Sequence, residues 1–537
     1  MTSTKDSLST SSEFNRFKSV KKLKELAKAP YDLTKPGNLS PERIEQFCAE
    51  GCGFKLLYGT ERIDEQVMEA LFDLAQEAEV FDKMKRMQSG EVINFIRGYP
   101  SENRAVLHTA TRDFFDDPIQ AKPAREAAEM AKVEFEKLEA FMKKVDADGK
   151  FKNMIMIGIG GSDLGPYAQY IALEHLKKAG RNLYFVNNID PDNAAMVLHQ
   201  AELKSSLVVI VSKSGTTLET TTNDEFLRTR FVEAGLNPAE HFVSVTGEGS
   251  PLDDSSKYLE SFHIWDWIGG RFSSSSMVGG VLLSFAFGFD VYKEFLRGAH
   301  AMDRTALSTD INNNLPLLAA LLNIWNHNIL GYPTLAMIPY SRALRRYSAH
   351  IQQVEMESNG KHIDRNGQEV DFDTGMIIWG EPGTNAQHSF FQLIHQGTEI
   401  IPLEFLGFRD SQYGDDVMWE GTTSQEKLLS NMLAQAIALA TGQRSDNPNK
   451  QFCGNRPSHI ILGKQITPFA VGAILAFYEH KVAFEGFIWN INSFDQEGVQ
   501  LGKVLAKKVI SCFARKRGAS EETYPLGDAF LSHFNSL

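Results

Sequence analysis

The sequence predicts an α/β protein of two lobes, each a parallel β-sheet flanked by helices, with an N-terminal helical cap and a C-terminal helical tail. Three features carry that prediction. Short apolar runs at 154–159, 183–186, 207–211, 242–245 and 262–265 recur about every 20 to 35 residues, with helical material between several of them, which is the cadence of βαβ units in a buried parallel sheet. A mostly helical stretch over 277–330 follows, and the cadence returns with runs at 335–338, 376–379, 400–405 and 459–462. Ahead of both, residues 15–145 read mostly as helix: Phe17, Val20, Leu23 and Leu26 fall three apart, and 123–145 is rich in Ala, Glu and Lys.

These textures divide the chain into an N-terminal helical region packing on the larger lobe (1–120), a first lobe (121–290), a second lobe (291–510) and a C-terminal tail (511–537). The first dozen residues are low in complexity. The first 30 residues, Ser/Thr-rich and then Lys-rich, lack an apolar signal core and contain Asp6 and Glu13, so they read as a frayed end leading into an amphipathic helix rather than as a leader. Of the 537 residues, 55 are Lys or Arg and 68 are Asp or Glu, a net charge of −13. Such a surface repels phosphate backbones and anionic lipid, so neither nucleic acid nor membrane is expected as a partner, and an anionic ligand must be held by local chemistry. Four cysteines build no disulfide framework, and Cys48 and Cys52 lack the His or second Cys pair of a zinc site, which points to a reducing cytoplasm. The apolar stretches 277–289 and 466–478 fall well short of the roughly 20 residues a membrane span needs.

Six segments carry chemistry. After the run at 154–159 come Gly158, Gly160, Gly161, Ser162 and Asp163, a glycine turn between strand and helix whose N–H groups suit a phosphate, though any tight turn of this kind would need the same glycines. It is no dinucleotide fingerprint, since the third glycine would fall on Asp163, and it lacks the Gly-Lys-Ser/Thr of a P-loop. After 207–211 come Ser212, Lys213, Ser214, Gly215, Thr216 and Thr217, a donor-rich loop suited to a phosphate dianion, with helix capping by Ser214 or Thr216 as the alternative. Arg271 follows Gly269 and Gly270 just before a helix starting near the serines 273–276, placed either to face an oxyanion or to make a structural ion pair.

The fourth segment reads as a helix over 341–358 ended by Asn359 and Gly360. Leu344, Tyr347, Ile351 and Val354 form its buried stripe, leaving Arg346, His350, Gln353 and Glu357 on a solvated face. In the fifth, Thr384 and Gln387 read as a capping box that sets His388 in the first turn of a helix, where it stays neutral and able to pass a proton. The alternative for such a histidine is burial against a carbonyl, a fate that also suits His395. In the sixth, Gln496, Val499 and Lys503 share a face if the segment is helical, while Lys507 and Lys508 read as solvated.

Together the segments IGIGGSDLGP, SKSGTT, GGRFSSSS, MESNGK, GEPGTNAQHSFFQLIHQG and FDQEGVQLGK resemble, in order, the motifs of the phosphoglucose isomerase family. The resemblance implies two sugar-isomerase (SIS) lobes, an intertwined homodimer, and the reversible isomerisation of glucose 6-phosphate to fructose 6-phosphate in glycolysis and gluconeogenesis, with neither metal nor cofactor. It implies that Gly161, Ser162, Ser212, Lys213, Ser214, Gly215, Thr216 and Thr217 bind the sugar phosphate and that Gln353 and Gln496 touch the substrate. Glu357 then serves as the C1/C2 base, His388 and Lys503 open the ring, and Arg271 stabilises the oxyanion, with His388 contributed to the partner's site. Gln500 stands where the commoner pattern has Glu, and Ser214-Gly215 where many members have Thr-Phe, from which altered affinity rather than altered chemistry is expected. A non-catalytic SIS-type sensor would share the phosphate loops but has no need of Glu357, His388 and Lys503 together, and nucleotide-dependent phosphoryl transfer lacks its Walker lysine.

Overall fold

Each of the nine apolar runs becomes a strand, because a continuous run of branched side chains is stable only where both sheet faces are covered. The structure, a computed structural model, describes residues 11–534, so the reading of the extreme N-terminus as a frayed end lies outside the described residues. In chain order the strands are β1 (Cys48–Gly51), β2 (Phe54–Leu57), β3 (Val92–Asn94), β4 (Arg104–Ala105), β5 (Asn153–Ile157), β6 (Asn182–Val186), β7 (Ser206–Ser212), β8 (Phe242–Thr246), β9 (Glu260–His263), β10 (Thr334–Pro339), β11 (Ile377–Trp379), β12 (Leu403–Phe408), β13 (Met418–Trp419), β14 (Thr422–Thr423) and β15 (Ser458–Gly463).

The first sheet has the order β6-β5-β7-β8-β9 and is parallel throughout. Its central strands β5 and β7 are buried along their whole length. One face packs on the helices Pro191–Gln200 and Leu218–Glu233 through Val197, Leu227 and Phe231. The second sheet has the order β1-β2-β15-β12-β10-β11. Strands β10, β11, β12 and β15 are mutually parallel, and the hairpin β1-β2 adds to β15 antiparallel, Leu57 opposite Ile460. This hairpin, lying in the segment read as mostly helical, is a strand pair the sequence reading passes over.

The helix Pro468–Trp489 is buried from Ala470 to its last residue. It meets the helix Phe289–Ala306 at van der Waals contact because a Cβ on Gly472 would fall 1.8 Å from the Phe295 carbonyl oxygen, and one on Gly298 1.8 Å from that of Phe469. Among the described residues no helix is long and apolar enough to cross a membrane.

The chain divides into two compact units at Ser493 and Phe494. The second, smaller unit is a pair of helices, Gln500–Lys516 and Pro525–Phe534, joined through buried Cys512 and Leu531 and an ion pair between Arg515 and Asp528.

Candidate active site

Both donor-rich loops leave the C-terminal ends of neighbouring strands. The chain goes from β5 to β6 on one side and then crosses to β7 on the other, so connections diverge between β5 and β7, where open α/β sheets bind ligands. The loop after β5 turns through Gly160–Ser162 into the helix Leu164–Ala172. A Cβ on Gly161 would lie 2.2 Å from the carbonyl carbon and oxygen of Gly270, so only glycine lets this loop press on the turn Gly270–Phe272. At its end Asp163 accepts a hydrogen bond from Asn187 Nδ2 at 3.0 Å, and burial pushes its carboxyl up to about 6.

In the loop after β7, the Ser212 and Thr217 hydroxyls lie 3.0 Å apart, and Ser214 Oγ accepts from the amide and hydroxyl of Thr216 at 3.2 and 3.0 Å. The following helix, Leu218–Glu233, has Thr217 as its N-cap with no side-chain bond, so helix capping by Ser214 or Thr216 is ruled out as the reason for these hydroxyls. Lys213 Nζ donates to the Ile268 carbonyl at 2.9 Å, tying this loop to the segment that leads into Arg271, and burial lowers its pKa.

Arg271 extends from the turn Gly270–Phe272, and the next helix starts at Met277 with Ser276 as its N-cap, as the serine run predicts. The guanidinium is fully buried. Its Nε donates to Ser358 Oγ at 2.6 Å, its Nη2 to the Ser493 carbonyl at 2.5 Å, and its Nη1 stands 3.4 Å from Glu357 Oε1. The other carboxylate oxygen of Glu357 accepts from Gln353 Nε2 at 2.8 Å. Gln353 in turn reaches the first loop, its Nε2 3.5 Å from where a Cβ of Gly160 would stand. Gly160, Gly161, Arg271, Gln353 and Glu357 are thus one contiguous group.

The segment that carries Glu357 departs from the sequence reading. The helix expected over 341–358 is a 3-10 turn Arg342–Leu344, a short α-helix Tyr347–Gln352 and a π-helical turn Gln353–Glu357. Leu344, Tyr347, Ile351 and Val354 are buried as expected. The opposite face is not solvated: His350 is buried, Gln353 is half-buried, and the Glu357 side chain keeps 25% of its exposure. The cause is a second neighbour, since Tyr347–Gln352 packs on the helix Leu164–Ala172 as well as on β10 and β11. Burial with no partner for either ring nitrogen lowers the His350 pKa to about 4.

His388 closes the 3-10 turn Asn385–His388 beyond β11 and is exposed. Thr384 makes no capping bond and the α-helix begins only at Phe391, so the expected capping box is absent and His388 is not in a helical first turn. His395 is half-buried with Nε2 2.7 Å from the side-chain oxygen of Gln435, an amide partner rather than the backbone carbonyl expected. Gln496 and Lys503 lie in the smaller unit. Gln496 precedes the turn Glu497–Val499 in a non-helical conformation and the helix starts at Gln500, so it does not share a helix face with Lys503. Lys503, Lys507 and Lys508 are exposed on that helix.

Sequence reasoning missed Ser358 and Ser493, which hold the Arg271 guanidinium. Ser358 had a signal in its place directly after Glu357. The Ser493 contact is a backbone carbonyl, invisible to any pattern of side chains. A carboxylate gripped by an amide and a buried guanidinium, beside two loops rich in anion donors, can bind a phosphorylated molecule and shuttle a proton next to a fixed positive charge.

The chain has close relatives. The family profile described as phosphoglucose isomerase matches residues 57–523. The glucose-6-phosphate isomerase of Protochlamydia amoebophila is 59% identical over 526 residues, 98% of this chain and 98% of its own. That of Chlamydia pneumoniae is 51% identical over 517 residues, covering 96% and 97%. The crystal structure of a glucose-6-phosphate isomerase from Chlamydia trachomatis D/UW-3/Cx superposes with a TM-score of 0.94 at 50% identity, covering 97% of this chain and 99% of that one.

Proposed function

The chain belongs to the phosphoglucose isomerase family, and from that premise we propose that Glu357 is the base that moves hydrogen between C2 and C1 of its substrate. The enzyme interconverts glucose 6-phosphate and fructose 6-phosphate, a step shared by glycolysis and gluconeogenesis, by opening the ring and transferring a proton through a cis-enediolate. The observation that carries the assignment is the double hold on the Glu357 carboxylate, Gln353 on one oxygen and Arg271 facing the other. Held so, it takes the C2 proton and returns it to C1 on one face of the enediolate, while Arg271, buried and always charged, offsets the negative charge that develops on the sugar oxygen.

The phosphate is bound far from the reacting carbons by Gly161 and Ser162 and by the loop Ser212, Lys213, Ser214, Gly215, Thr216 and Thr217, which keeps the open chain in register. Ring opening needs a proton delivered to the ring oxygen and another removed from the anomeric hydroxyl, the work of His388 with Lys503. Gln496 contacts the substrate. The enzyme acts as a homodimer in which His388 serves the partner's site; exposure of His388 on its turn supports this reading. Among the described residues all four cysteines are free, in keeping with a cytoplasmic enzyme.

Glu357→Gln should keep the fold and bind fructose 6-phosphate while turnover falls by several orders of magnitude. Substrate deuterated at C2 reports the same step independently: label should appear at C1, or exchange with solvent, only when Glu357 is present. Near-normal kcat in the variant would sink the assignment.

A further inference from the structure

A second cavity in the larger unit, of about 420 Å³, is lined by Arg16, Lys83, Arg86, Arg97 and Arg365. That volume is within the range of small-molecule pockets. Only two carboxylates line it, Glu13 and Glu79, so cations outnumber anions by five to two on a protein whose net charge is −13. The cations are also poorly matched. Arg86 Nε is engaged by Glu91 at 2.7 Å and Lys83 Nζ by the Phe487 carbonyl at 2.9 Å, while Glu13 accepts from Asn490. Among the described residues no carboxylate pairs with Arg16, Arg97 or Arg365.

The backbone forces two of these groups together. The Arg97 amide donates to the Arg365 carbonyl at 2.9 Å, and the Arg365 amide to the Asn490 carbonyl at 2.8 Å, so the two guanidiniums issue from adjacent strands of chain at the cavity wall. The Arg365 guanidinium lies 4.9 Å above the Phe95 ring. Burial, reinforced by the like charges of Arg86 and Arg97, lowers its pKa to about 10, the mark of a cation without a counter-ion. Guanidiniums that converge on one concavity with no carboxylate between them draw an anion to it, and their planar forks suit phosphoryl oxygens.

We propose that this cavity binds a small metabolite carrying two phosphoryl groups, at a site separate from the isomerase centre. Arg86 is matched by Glu91, but Arg16, Arg97 and Arg365 present three charges that no carboxylate among the described residues engages, more than one phosphate dianion carries, whereas paired phosphoryl groups carry three or more. The group shares none of its residues with the isomerase centre, so the inference stands apart from the assignment of Glu357.

The test is calorimetric titration of the full chain with inorganic pyrophosphate, its isomerase sites first saturated with hexose 6-phosphates at equilibrium. One equivalent per chain should still bind. Arg97→Gln, at an exposed position where the fold has little to lose, should weaken that binding about tenfold, and Arg97→Gln with Arg365→Gln should abolish it, with kcat/KM for fructose 6-phosphate unchanged. Absence of binding under saturating hexose phosphate, or equal binding by wild type and Arg97→Gln, would overturn the site. Orthophosphate binding as tightly as pyrophosphate would overturn the claim for paired phosphoryl groups.

Discussion

Arg271 can act on a developing oxyanion only because its other nitrogens are already satisfied. Ser358 takes Nε and the Ser493 carbonyl takes Nη2, which leaves Nη1 facing Glu357 and, on the proposed assignment, the reacting edge of the sugar. Ser358→Ala would orphan a charged donor in a fully buried place, a loss of about 1 to 3 kcal/mol in the interactions that orient it. Because the oxyanion forms only in the transition state, steady-state kinetics should show kcat reduced about tenfold or more with KM near normal, and Ser358→Thr, which keeps the hydroxyl, should recover most of it. A rise in KM with kcat intact would mean that Ser358 does not work through Arg271. Lys213 offers the opposite signature. Its ammonium is fixed by the Ile268 carbonyl at the loop proposed to hold the phosphate, whose charge would not change between ground state and transition state, so Lys213→Ala should raise KM about tenfold and leave kcat nearly unchanged.

At the scale of elements, the helix Pro468–Trp489 and strands β12 and β15 bury charge. His459 lies between two carboxylates, Nδ1 2.8 Å from Glu61 Oε1 and Nε2 3.0 Å from Glu404 Oε2, and Glu404 also accepts from Tyr478 and faces Lys481. Burial alone would lower the His459 pKa, but the hydrogen bonds to Glu404 and Glu61 outweigh it and raise the value to about 9. A histidine raised above its ordinary value of 6.5 favours folding below pH 6.5, and the contribution is lost as pH climbs through 9, about 3 kcal/mol in all. Urea unfolding at pH 6 and pH 9.5 should show that decline in the wild type and a flatter profile in His459→Gln; identical slopes would remove the buried imidazolium from the account. These elements also mark what a sequence reveals. The nine strands of the two parallel arrays are legible because continuous apolar runs have one stable home. The β1-β2 hairpin is not, because Cys48, Ala49, Glu50 and Gly51 are too mixed to signal a strand and its neighbour β15 lies some 400 residues away. The π-helical turn at Gln353–Glu357 escapes for a related reason: periodicity assumes one solvent-facing side, and here a second helix covers it.

At the scale of the whole molecule, the residues proposed for ring opening come from other parts of the chain than the group around Glu357. Glu357, Gln353 and Arg271 are joined to the first loop, whereas His388, legible as a motif, stands exposed on a turn whose helical setting the sequence misjudged, and Lys503 belongs to the other compact unit. Periodicity could mark these residues individually but could not say which chain each one serves. A two-fold dimer in which His388 crosses to the partner makes a quantitative prediction. Chains carrying Glu357→Gln and chains carrying His388→Ala should each be inactive as homodimers. When equal amounts are unfolded together and refolded, half of the dimers pair one of each. In such a dimer one site inherits both defects, and the other draws Glu357 from the His388→Ala chain and His388 from the Glu357→Gln chain. One site in two is then whole in half of the population, so activity should recover to about a quarter of the wild-type value. If each chain instead supplied its own histidine, no mixed dimer would contain an intact site, and activity would stay at the level of the parent variants at every mixing ratio.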